Sequence, residues 1–170
     1  MANTYELISK TTATTSVASI EFTSIPGTYT DLVLKLSARH DVFNDTIKQQ
    51  LLDFNNSGST KQLSTMRWNG DTVGGFTESA GQLNGYVTGA TATANTFGVW
   101  ELYLPSYANT NFTKSYIVDF GTENNGADQQ VGIVAGAWPS TSAVTSIKLS
   151  TAAGSYVTGT TAQLYGIKNS

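Results

Sequence analysis

The chain has 170 residues with a formal net charge of -3, of which 12% are charged, 11% are aromatic and none is cysteine. That length suits one domain burying roughly 70% of the surface its unfolded chain exposes, and the missing cysteine excludes disulfides, thiol catalysis and cysteine-ligated zinc. Seven Lys and two Arg are scattered, which speaks against a nucleic-acid groove, and no apolar run approaches the roughly 18 residues of a membrane span.

The opening "MANTYELISKTT" shows no basic segment followed by an apolar core, so assembly in a cytoplasm is expected. Within it "YELIS" reads as a short strand, and residues 1–12 form either an edge strand or an arm free to dock on a neighbour. "VASIEF" from Val17 to Phe22 reads as the next strand. After the turn residues Pro26 and Gly27 comes the clearest segment, "DLVLKLSARH". There Leu32, Leu34, Leu36 and Ala38 alternate with Val33, Lys35, Ser37 and Arg39, the period-two signature of a strand packed on one side. These three segments suggest the opening of a β meander.

Residues 47–54 are ambiguous. A helix would place Ile47, Leu51 and Phe54 on one stripe with Asn44 or Asp45 as N-cap; a strand would turn Leu52 and Phe54 inward, and strand is the favoured reading. From Asn56 to Thr96 the chain is rich in Gly, Ser and Thr, holds the turn signal "WNGD", and suggests long loops with one or two short strands. "FGVWELYLP" then sets Trp100, Leu102 and Leu104 on one face and Phe97, Val99, Glu101 and Tyr103 on the other, stopping at Pro105. "KSYIVDFG", "QVGIVAGAW", "VTSIKLS" and "AQLYGI" follow, the last with Leu164, or else Tyr165 and Ile167, filling the core. Roughly eight to ten short strands separated by turn residues imply an all-β, antiparallel β-sandwich built as one domain over 1–170.

Catalytic signals are weak. His40 stands between Arg39 and Asp41, but a general base needs an oriented partner, and a strand end turning into solvent explains the triplet. Asp119, Glu123, Asn124, Asn125 and Asp128 offer oxygens to calcium without the EF-hand pattern, so a hairpin loop is favoured. No catalytic, metal or cofactor-binding residue is assigned. Trp68 and Trp138 sit at a turn and a strand end, where an aromatic face can meet a sugar ring or another protein; Trp100 reads as core.

"SIEFTSIPGTYTDLVLKLSAR", "VTSIKLS" and the closing "LYGI" resemble small structural proteins encoded by tailed bacteriophages, cyanophages and their marine relatives among them, over Ser19 to Arg39 and Ala135 to Ile167. The resemblance implies a jelly-roll-like sandwich serving as a non-enzymatic virion component. Its expected role is a capsid decoration or cement protein, commonly a homotrimer clamped on the major capsid protein. The alternative is a tail fibre or a receptor-binding, carbohydrate-binding module. It carries over no cofactor and no functional residues.

Overall fold

The computed structural model describes residues 4–58, 61–69, 72–81, 83–122 and 128–168. Among these the chain forms twelve strands and no helix: β1 (Tyr5–Thr12), β2 (Ser19–Phe22), β3 (Asp31–Ala38), β4 (Ile47–Phe54), β5 (Lys61–Trp68), β6 (Val73–Gly81), β7 (Leu83–Thr88), β8 (Gly98–Pro105), β9 (Lys114–Gly121), β10 (Val131–Trp138), β11 (Ile147–Thr151) and β12 (Thr161–Ile167). The count exceeds the expected eight to ten because the Gly-rich and Thr-rich stretch before residue 96 supplies three of them, β5 to β7. Residues 47–54 are a strand, with Leu52 and Phe54 buried as the alternating reading requires.

Two antiparallel sheets face each other, one of eight strands in the order β1-β12-β3-β8-β9-β10-β5-β6 and one of four in the order β2-β11-β4-β7. The chain switches sheet at each step from β1 to β5, at both steps from β6 to β8, and at both steps from β10 to β12. The sets β1-β12-β3-β8 and β2-β11-β4-β7 are thus the two facing four-stranded layers of a jelly roll. The hairpins β5–β6 and β9–β10 are inserted into that frame and widen the first sheet beyond β8. The expected opening meander does not occur. β1 and β3 each pair with β12, and β2 pairs with β11, because jelly-roll wrapping joins strands distant in sequence.

Alternation decides what is buried. Leu32, Leu34 and Leu36 of β3, Trp100, Leu102 and Leu104 of β8, and Ala162 and Leu164 of β12 point into the space between the sheets. Ile20, Phe22, Leu52, Phe54, Ile147 and Leu149 meet them from the other side. Phe54 lies edge-on to Tyr116 at 5.5 Å and beside Trp138 at 5.6 Å between ring centroids. Tyr116 can lie flat there only because Gly136, its cross-strand neighbour, has no side chain; a Cβ at Gly136 would fall 2.1 Å from the Tyr116 ring.

The buried polar groups tie the sheets together. Asn84 on β7 accepts the Tyr116 hydroxyl at 2.9 Å through Oδ1, and its carbonyl accepts the Trp100 indole N–H. Tyr156 donates to Gln50 Oε1 at 2.7 Å, while Gln50 Nε2 donates to the Leu51 and Ser150 carbonyls. Paired in this way, such groups specify one arrangement of the core instead of penalising it.

Candidate functional site

The outer face of the eight-stranded sheet is the surface that stands out, because β5, β6, β8, β9 and β10 carry exposed apolar residues on it. Register places side chains across it in three rows. The first runs Tyr165, Val33, Tyr103, Ile117, Ala135, Ser64 and Thr77; the second Gln163, Lys35, Glu101, Asp119, Ile133, Met66 and Gly75; the third Thr161, Ser37, Val99, Gly121, Val131, Trp68 and Val73. Tyr103, Ile117, Ile133, Met66, Val99, Val131, Trp68 and Val73 are all exposed. Directly opposite and diagonal neighbours on one sheet face lie within about 8 Å, so these side chains form one contiguous apolar area.

Three hollows indent the face. One of about 650 Å³ lies over the first row, walled by Tyr103 and Ile117 above the small residues Ser64, Ser115 and Ala135. Tyr103 is held in place because its hydroxyl donates to Asp31 Oδ2 at 3.0 Å, and burial together with that carboxylate raises its pKa. A second hollow, about 630 Å³, is lined by Lys35, Glu101, Asp119, Gln163, Val99 and Val131. Lys35 and Glu101 pair across the strands at 3.2 Å, both about half exposed, which gives them little weight in stability. The third, about 300 Å³, joins it over Val99, Gly121 and Val131 and is bounded by Trp68, Phe97 and Gln129.

The two tryptophans singled out in the sequence separate. Trp68 is 44% exposed on this face, as a binding platform requires. Trp138 is only 2% exposed, and its candidacy is corrected: an even number of residues from Val134 along β10, it turns inward and packs on Phe54. Residues 1–3 lie outside the described residues; from Tyr5 on, the N-terminal segment is the edge strand β1, with Tyr5 and Leu7 exposed.

His40 is likewise corrected, from a solvent-facing strand end to a fully buried ring. Its neighbours are absorbed by backbone groups. The Arg39 guanidinium donates to the Ala90, Ala92, Thr93 and Thr96 carbonyls at 2.8–3.1 Å, pinning the loop after β7, and Asp41 Oδ1 accepts the Ser155 N–H at 2.7 Å. His40 Nδ1 accepts the Val42 N–H at 3.0 Å, which leaves the proton on Nε2, where no acceptor faces it among the described residues. Lys114 is also buried, its Nζ donating to the Phe112 and Thr141 carbonyls, and burial lowers its pKa.

Of the oxygen-rich segment after β9, residues 123–127 lie outside the described residues, as do Gly70 and Asp71 of the "WNGD" turn. Among the described residues no group of three His, Cys, Asp or Glu side chains is placed to hold a metal ion. Sequence reasoning passed over Tyr103, Ile117, Val131 and Ile133. Their signal was present in "GVWELYLP", "KSYIVDFG" and "VGIVAGAW", where Tyr103, Ile117, Val131 and Ile133 alternate with the core face. Comparison with protein-family models, curated proteins and solved structures finds no match to this chain.

Proposed function

We propose that the chain is a non-enzymatic structural protein of a tailed-bacteriophage particle, a decoration protein that docks on the major capsid protein as a homotrimer. The observation that carries this reading is the contiguous apolar area on the outer face of the large sheet, with Tyr103 opposite Ile117 and Ile133 opposite Met66, all exposed. Exposed apolar patches of this kind mark protein interaction surfaces. The jelly roll is an architecture used by viral capsid domains, a support by fold analogy only. Weak charge, 12% of residues, puts little long-range repulsion between copies packed on a lattice. The resemblance over Ser19 to Arg39 and Ala135 to Ile167 points the same way. Cyclic symmetry lets one patch per subunit close a ring, and contacts burying roughly 1,000 to 2,000 Å² give such assemblies their hold.

A second reading, a tail-fibre or receptor-binding component, is favoured by the hollow that exposed Trp68 bounds with Phe97 and Gln129. Light scattering on the purified protein tests the first. The expected mass is three times the 18.0 kDa of the chain, falling to one with Ile117→Lys at unchanged melting temperature. A wild-type protein that stays monomeric at high concentration contradicts the trimeric form.

A further inference from the structure

We infer that the joined second and third hollows of the outer sheet face bind a neutral oligosaccharide. This does not rest on the virion reading, and it uses the end of the face away from Tyr103 and Ile117.

The hollows share Val99, Gly121 and Val131, so they make one elongated groove with an apolar floor. At one end Trp68 and Phe97 supply aromatic surface, and Trp68 is exposed at the position opposite Val131 and Val73. Along the rest of the groove stand Glu101, Asp119, Lys35 and Gln163, with Gln129 beside the aromatics. The volumes, about 630 Å³ and 300 Å³, fall within or at the edge of the range of small-ligand sites, roughly 300–1,000 Å³.

The chemistry of the lining selects the ligand class. Carboxylates, amides and an ammonium offer acceptors and donors within reach of an apolar floor and an aromatic wall. A sugar ring presents the same combination, C–H groups on its faces and hydroxyls at its rim. An extended peptide is disfavoured, since β8, β9 and β10 each have strands on both sides and spare no backbone edge for it. A nucleic acid or acidic polysaccharide meets Glu101 and Asp119, of which only Glu101 is paired with Lys35. An acyl chain would have to cover those charges.

Fluorescence is a selective readout, because Trp100 and Trp138 are buried and Trp68 is exposed. The probes are malto-, cello-, xylo- and chito-oligosaccharides, with heparin-derived fragments as the acidic comparison, titrated to millimolar concentration. The expected result is saturable quenching or blue shift with at least one neutral series; followed instead by amide NMR shifts, which do not depend on the Trp68 signal, the same titration is weakened about tenfold or more by Trp68→Ala, about 1.4 kcal/mol. Asp119→Ala is expected to weaken the same titration followed by amide NMR shifts, so the proposal is tested even if Trp68→Ala folds poorly. Silence with all neutral probes, binding of the acidic fragments only, or neutral binding unaffected by both substitutions overturns it. Ile117→Lys should leave the titration unchanged, which separates failure here from failure of the assembly reading.

Discussion

A chain ending at Gly159 is expected to show no cooperative thermal transition, where the full chain is expected to unfold as one unit. The residues removed are β12, which lies inside the large sheet with β1 on one side and β3 on the other. Its loss leaves β1 with no strand to pair with and exposes one edge of β3, so two ladders of backbone hydrogen bonds go at once. Ala162 and Leu164 are fully buried and Ile167 is nearly so, and burial of each large aliphatic side chain is worth about 1.5–3 kcal/mol. Added to a cavity between the sheets and two open strand edges, the loss rivals the roughly 5–15 kcal/mol by which domains are stable. Circular dichroism and limited proteolysis of the truncated chain check this. A soluble product with an unchanged melting temperature contradicts the topology.

Acidification from pH 7 to pH 4 is expected to remove about 3 kcal/mol of stability through His40 alone. Burial is the main cause that lowers its pKa to about 4; Lys48 and Arg39 add to the effect, and Asp45 and Asp41 oppose it. Protonation would also place a second donor on Nδ1, against the Val42 N–H that now donates to it. The unfolded ring titrates near 6.5, so above that pH both states are neutral and the stabilisation is complete. As pH falls from 6.5 towards 4 the unfolded chain takes up a proton that the folded one refuses, and stability drops. Below 4 both are protonated and this loss levels off. Because the chain has one histidine, its ring signals in NMR give the folded pKa directly. Urea melts of the wild type and His40→Gln should diverge in pH dependence across that window. A ring that titrates near 6.5, or melts that stay parallel, contradicts the buried placement.

Strand positions were legible where one face alone is apolar. "DLVLKLSA" became β3 with the buried row expected, "KSYIVDFG" became β9, and of the two registers left open for "AQLYGI" β12 buries Leu164, with Ile167 buried at its end. Pairing was not legible, since a strand's own residues do not say which distant strand completes its ladder; β2 reaches β11 and β1 reaches β12 across almost the whole chain. The region holding β5 to β7 hid because its inner positions include polar Thr65, Asn84 and Thr88, which lack the hydrophobic period. His40 was misjudged for a related reason. Arg39 and Asp41 looked like solvent-facing charges, yet they serve the carbonyls of the 90–96 loop and the Ser155 amide and let the ring between them sink. Of the candidate site, Trp68 was legible as a turn aromatic, whereas Val131 and Val99 reach it only through sheet register and Phe97 from the loop before β8.

The central claim is that the outer apolar area docks this protein on a capsid shell. Co-sedimentation of the purified protein with tailed-phage shells that lack a decoration protein tests that proposal most directly, with Ile117→Lys as the paired control. The account predicts saturable binding at a stoichiometry matching local three-fold positions, of order hundreds of copies per shell, abolished by Ile117→Lys. Protein that stays in the supernatant, or particles that carry only a few copies, would contradict it.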